Sequence, residues 1–194
     1  MRIPAGLLAA SSRVLVKIAL CLAVLFVSVS EMNAQSQSED IQTQIKAEFI
    51  ERFAHYIEWP EEAFETKTAA FTVCIEGDEP MAPLLQRVLE NGRIKERPTL
   101  LVSLKEGESP TGCQILYIGH REKDRVEAIV QWIGRAPVLT IGDSLGNAEN
   151  LVHINLFPEG SHVRFAINAA SAKEKGLIVS SKLLVLARPA KGDH

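Results

Sequence analysis

The chain has 194 residues, a net charge of −3 and an apolar fraction of 46%, which fits one globular domain of ordinary size with a buried core. Aromatic residues make up only 6% and no long basic stripe is present, so nucleic acid is excluded as the main partner.

The first residues have the form of an export signal. Arg2, Arg13 and Lys17 precede the apolar run Ile18–Val29, and polar Ser30–Asn33 lead to Ala34, where cleavage is expected. The run is too short for the ~20 residues of a spanning helix. Cys21 sits inside it after Leu20, which does not suit a lipoprotein signal. Residues 1–34 are thus predicted to be a signal peptide and the remainder to be periplasmic. Without Arg2, Arg13, Lys17 and Glu31, the mature chain keeps 18 basic and 23 acidic residues, net −5. Cys74 and Cys113 remain as an even pair in an exported chain. They read as a disulfide between sheet neighbours, worth roughly 4 kcal/mol in the chain-entropy model; two buried thiols are the alternative.

Ser36–Glu39 has capping-box form. Ile41, Ile45, Phe49, Phe53 and Tyr56-Ile57 follow at near-helical spacing, and Pro60 closes that helix after Trp59. Phe71–Glu76 is a strand. A helix with Pro83 in its first turn and Leu84, Leu85, Val88 and Leu89 on its face follows, stopped at Asn91-Gly92. Arg93, Lys95 and Arg97 alternate around Ile94 and read as a charged edge segment before strand Thr99–Leu104. Strand Cys113–Ile118, helix Arg121–Ile133 and strand Val138–Ile141 come next.

Ser144–Glu149 is a polar loop, and Leu151–Phe157 with Val163–Ile167 reads as an antiparallel hairpin. Asn168 caps a short helix, Ala169–Lys175, and the last run, Leu177–Ala187, reads as a short helix capped by Ser180 or as a strand. Together these elements predict one α/β domain, residues 38–190. Its plan is a mixed sheet flanked by helices, a variant of the Rossmann-like or flavodoxin-like arrangement with a late hairpin.

No phosphate loop, zinc-protease motif or nucleophile elbow is present, so the residues predict no catalytic group, no metal and no cofactor. His153 and His162 are expected to face each other across the hairpin, too few for a metal site. Asp78, His120 and Asp143 each close a strand; turn and cap chemistry explains them better than an acid/base cluster. The residues alone indicate an exported binding module rather than an enzyme.

Several stretches resemble the YfiR-like periplasmic proteins in order and spacing. They are Glu58-Trp59-Pro60, Phe71–Asp78, Cys113–Ile118, Pro137–Asp143, Val163–Asn168 and Gly176–Leu184. The resemblance implies a homodimeric regulator that represses an inner-membrane diguanylate cyclase, and so cyclic-di-GMP synthesis, by protein–protein contact. An outer-membrane partner would sequester it. Some relatives carry a second cysteine pair after the Gly-Asp strand, but Asp143–Leu156 here contains no cysteine. A repressor needs a partner surface, for which Trp59, Asp143, Arg164 and Asn168 are the candidates, Arg164 being expected to pair with Asp143. The alternative is a periplasmic small-molecule sensor that uses the crevice at the strand ends.

Overall fold

The computed structural model describes residues 39–77, 80–90, 92–144 and 146–188, the side chains of 147–149 excepted. The predicted signal peptide, most of the capping box, Asp78, Asn91 and residues 189–190 lie outside the described residues. Two units are distinguished, Met1–Ile41 and Gln42–His194, and the second is described here. Helix α1 (residues 39–56) enters it at Gln42.

The elements after α1 are β1 (Ile57–Glu58), β2 (Phe71–Glu76), α2 (Met81–Leu89), β3 (Arg93–Ile94) and β4 (Arg97–Leu104). They continue with β5 (Ile115–Ile118), α3 (Val126–Ile133), β6 (Leu139–Asp143), β7 (Ile154–Glu159) and β8 (His162–Ile167). Helix α4 (Ala169–Glu174), β9 (Ile178–Val179) and α5 (Ser181–Leu184) are the last helices and strands among the described residues.

Seven strands form one mixed sheet in the order β3-β4-β2-β5-β6-β7-β8, while β1 and β9 pair in a separate antiparallel sheet. Strands β4, β2, β5, β6 and β7 are mutually parallel. Renumbered from β2, their order is 2-1-3-4-5, the flavodoxin-like arrangement, whose topological switch point falls here between β2 and β5. The reversal sets the layers. A right-handed crossover leaving β2 toward β4 places α2 on one face, and one leaving β5 toward β6 places α3 on the other.

Two clusters fill those layers. Ala47, Ile50 and Phe53 of α1 and Met81, Leu85 and Leu89 of α2 pack against Phe71, Val73, Ile115, Tyr117, Leu139 and Ile141. On the opposite face Val126, Ile129 and Ile133 of α3 meet Leu116, Ile118 and Cys74. Successive strand residues thus feed alternate cores, as the two-residue pleat requires. Cys74 and Cys113 are joined in a disulfide with Cα atoms 5.9 Å apart, linking β2 to the entry of neighbouring β5.

Four local expectations change. Lys95 is not in a strand: β3 and β4 pair Ile94 with Arg97, leaving Lys95-Glu96 as a two-residue turn. The helix expected from Arg121 opens instead with a 3-10 turn, His120–Glu122, because the charged run 121–125 offers no apolar face for tertiary packing to hold. The last run contains both forms, β9 and then α5, with Ser180 Oγ accepting from Lys182 N at 3.3 Å. His153 and His162 do not face each other. His162 pairs with Glu159 at the far end of the hairpin, while His153 Nδ1 accepts from Thr140 N at 3.0 Å.

Candidate protein-binding surface

Among the described residues, the three most exposed aliphatic side chains, Val185, Leu186 and Ile178, come from one short piece of chain, with Leu184 beside them. Ile178 is 62% exposed, Leu184 39%, Val185 84% and Leu186 69%. Local rules produce this. Gly176, at φ +76°, turns the chain out of α4, and β9 then pairs with β1 through Ile57↔Val179 and Glu58↔Ile178. A four-residue helix has one inward face, and Leu183 takes it at 3% exposure. The apolar run continues through Leu184, Val185 and Leu186, so its remaining members must point outward. Tyr56, 41% exposed, adjoins them because its carbonyl accepts from Ser180 N at 2.9 Å. Exposed aliphatic side chains gathered in one such segment form an apolar ridge, a feature suited to contact with a partner. The uninterrupted Leu183–Leu186 run was its only sequence signal, one that periodicity assigns equally to a core element.

The four residues expected to form the partner surface are spread over the domain. Trp59 is half-buried, packs edge-on against Phe71 with centroids 4.9 Å apart and donates from Nε1 to the Gln114 carbonyl at 3.1 Å. It fastens the end of α1 to β2 and β5. Asn168 caps α4, its Oδ1 accepting from Ser171 N at 3.0 Å. Arg164 does not reach Asp143; it pairs with Glu159 on the neighbouring strand at 3.1 Å. Glu159 also takes Arg188 at 2.6 Å, and the two guanidinium groups, Arg188 first, hold its carboxyl below the usual range. The hairpin register explains the correction, since Arg164 lies opposite Phe157 with Glu159 two residues on.

Asp143 is buried at the carboxyl end of β6 and is saturated. Lys46 Nζ from α1 donates to both of its oxygens, at 2.8 and 2.7 Å. Tyr117 OH donates to Oδ2 at 3.1 Å and Ser144 Oγ to Oδ1 at 2.9 Å. His120 Nδ1 donates to the Ser144 carbonyl at 3.0 Å. The parallel strands do bring His120 and Asp143 to one end of the sheet, but Asp143 there anchors α1. Lys46 was invisible as its partner because 97 residues separate them.

A second ionic group lies at the same end. Glu76, which closes β2, is buried; Arg125 stands 3.3 Å from it, 2.5 Å from Glu122 and 3.7 Å from Glu106. Burial raises the Glu76 pKa, against the lowering influence of Arg125. Among the described residues no group of three His, Cys, Asp or Glu is placed to hold a metal ion, and no helix is long and apolar enough to cross a membrane.

The fold is thus an α/β domain that carries exposed aliphatic residues at 178 and 184–186. Residues 43–188 match the model of the YfiR/HmsC-like family, and the chain belongs to that family. The family is regulatory and periplasmic and works through contact with a protein partner, which places this chain with regulators of cyclic-di-GMP signalling. No curated protein matches the sequence.

Proposed function

We propose that the protein is exported by cleavage of residues 1–34 and represses an inner-membrane diguanylate cyclase by binding its periplasmic part. The observation that carries this reading is the ridge of Ile178, Leu184, Val185 and Leu186 beside Tyr56 on a member of a regulatory family. A repressor acts by binding one conformation of its target more tightly than the other. That requires a desolvatable apolar anchor and no reacting group. A homodimer and an outer-membrane protein that competes for the same surface complete the proposed circuit.

The test is capture from envelope extracts under oxidising conditions, using the intact protein and a Val185→Asp/Leu186→Asp variant. Recovery of a membrane diguanylate cyclase by the intact protein, and its loss with the variant, is the expected result. Recovery of the same cyclase by both proteins removes the ridge from the reading, and recovery of none removes repression. The second reading, a small-molecule sensor, draws on the groove at the carboxyl ends of β2 and β4.

A further inference from the structure

We propose that the outer edge of β4 pairs with the same edge of a second copy of this chain, antiparallel and around a two-fold axis at Val102. The inference gives a surface to the homodimer of the proposed circuit and rests on that part of the reading, not on repression.

The two edges of the seven-stranded sheet are treated differently. Strand β8 carries His162 and Arg164. Residue 188 lies along it, with Arg188 N donating to the Phe165 carbonyl at 2.8 Å and a parallel bridge to Ala166. At the opposite edge β3 pairs only with Arg97 and Pro98, so β4 is open from Thr99 to Leu104. Arg93, Lys95 and Arg97 therefore guard its entry alone. The open stretch contains no charged residue and no proline, and Leu100 is 49% exposed. Sheet edges are templates for a further strand, and charge, proline or a covering segment is what blunts them. Among the described residues this edge has none of the three.

The pleat fixes which backbone groups are on offer. Gln114 N donates to the Thr72 carbonyl and Gly119 N to the Glu76 carbonyl, so Thr72 and Glu76 address β5, and Val73 and Ile75 address β4. Val73 and Ile75 stand in register with Leu101 and Ser103. In a parallel pair their bonds go to the residues on either side, Leu100, Val102 and Leu104. The N–H and C=O groups of Leu101 and Ser103 consequently point outward, and no hydrogen bond among the described residues takes them.

Symmetry selects the occupant, because an isologous contact needs a patch that complements itself. The chain leading into β3 lies across Thr99, whose Oγ1 donates to the Leu89 carbonyl at 2.7 Å, so the free edge is centred on Val102. With the two-fold axis there, Leu101 and Ser103 exchange backbone bonds with Ser103 and Leu101 of the second copy. On one face Val102 meets itself and Leu100 meets Leu104, a Leu-Val-Leu series that is the same in both directions. These are the closely spaced pairs of an antiparallel ladder. On the other face the second copy's Lys105 falls beside Thr99, at a groove of about 360 Å3 whose described lining has one charged residue, Glu90. Lys105 and Glu90 are both exposed, and neither is held in an ion pair among the described residues. Two Lys105–Glu90 pairs thus flank the ladder, one on each side of the axis.

Sedimentation equilibrium of the purified disulfide-bonded protein tests this, and a dimer is expected. Ser103→Pro removes an outward N–H while leaving the bonds to β2 in place, and is expected to weaken the dimer at least about tenfold. Lys105→Glu sets like charges together at both ends of the ladder and is expected to weaken it by about tenfold. Adding Glu90→Lys to Lys105→Glu reverses both pairs and is expected to restore the dimer. Both residues are exposed, so these charge changes keep the fold even if Ser103→Pro does not. A dimer that neither Ser103→Pro nor Lys105→Glu weakens uses another surface and overturns the proposal while leaving the homodimer standing. A monomer overturns both. A monomer whose capture of an envelope protein is lost with Ser103→Pro gives the edge to a strand of a different protein, which also overturns the proposal. Repression is separable, since a dimer built on β4 that captures no cyclase sinks repression alone.

Discussion

The two ends of the parallel sheet hold their buried polar groups differently. At the amino ends the groups are neutral and closed on one another. Gln114, 2% exposed, accepts from Thr72 N at 2.7 Å and donates to the Ala63 carbonyl at 2.5 Å. Its own carbonyl receives both Trp59 Nε1 and Leu139 N. At the carboxyl ends the groups are charged, Asp143 held by Lys46 and Glu76 by Arg125. A neutral buried group with all its bonds made costs little to keep. A buried charge depends wholly on its partner. The amino end is thus scaffold. The carboxyl end is where the loss or gain of a single charge has consequences.

The sharpest way to break this contrast is to remove one charge. Asp143→Ala leaves Lys46 buried without its counter-ion and is expected to cost roughly 3–5 kcal/mol of unfolding free energy, measured by urea denaturation. Replacing both partners, Lys46→Met with Asp143→Leu, is expected to restore most of that loss, because two apolar groups of similar size need no pairing. A single variant as stable as the native protein would show that Lys46 escapes to water and that the carboxyl end is no more charge-dependent than the amino end.

The disulfide ranks next. Cys74→Ser with Cys113→Ser opens a loop of 39-residue separation and is expected to cost up to about 4 kcal/mol. The readout is again the denaturation midpoint, with mass mapping of the unreduced protein showing both cysteines unlabelled. Since the bond ties β2 to the entry of β5, a cost near zero would mean that the Gln114 hydrogen bonds already fix that strand pair.

How much of this was legible follows the same division. Strand runs such as Phe71–Glu76 and Ile115–Ile118 announce themselves by composition, and the cysteine pair by its even number once the expected leader is set aside. What stayed hidden needed distant partners. Lys46 looks like an ordinary polar position on an amphipathic helix, and only the flavodoxin-like strand order brings it over Asp143. Arg164 was assigned to Asp143 because both sit beside apolar strands; the register of the hairpin gives it Glu159 instead. The ridge was hidden for the opposite reason. Leu183–Leu186 reads as core, and nothing local shows that the helix there is only four residues long.

The amino end also holds a buried imidazole that stays neutral in the fold, which gives a third test. His153 is buried and its Nδ1 accepts from Thr140 N, so the ring is neutral with its proton on Nε2. Burial, reinforced by Lys175, lowers its pKa from 6.5 to about 4. The unfolded chain therefore binds the extra proton first. The contribution of this site is complete above about pH 6.5 and is lost as pH falls toward 4, by roughly 3 kcal/mol in total. Glu76 works in the other direction, because a raised carboxyl pKa favours the fold at low pH and loses that advantage as pH rises. The measurement is therefore the difference between the native protein and His153→Asn, in stability against pH. A difference that does not change between pH 6.5 and 4 would place a tolerated charge at the end described here as neutral.

The smallest effect sharpens the comparison by locating the amino end's one strained turn. Lys95 and Glu96 join β3 to β4 with φ of 53° and 61°, a conformation that two-residue hairpins normally give to Asn-Gly. Their long side chains return little. Lys95 Nζ donates to the His55 carbonyl at 3.3 Å in an exposed position; Arg93 Nη2 reaches the backbone carbonyl of Glu96, which any residue would supply, and its side-chain pair with Glu96 stands at 4.0 Å between two exposed groups, which contributes little. Lys95→Asn with Glu96→Gly removes the left-handed cost at both positions and is expected to stabilise the protein by about 1 kcal/mol, the lost lysine contact and the added glycine entropy holding the gain to that size. Thermal unfolding reads it directly. A gain shows that β3 is held by its pairing with β4 against an unfavourable turn. A loss shows that the two charged side chains, rather than the backbone ladder, keep this edge closed.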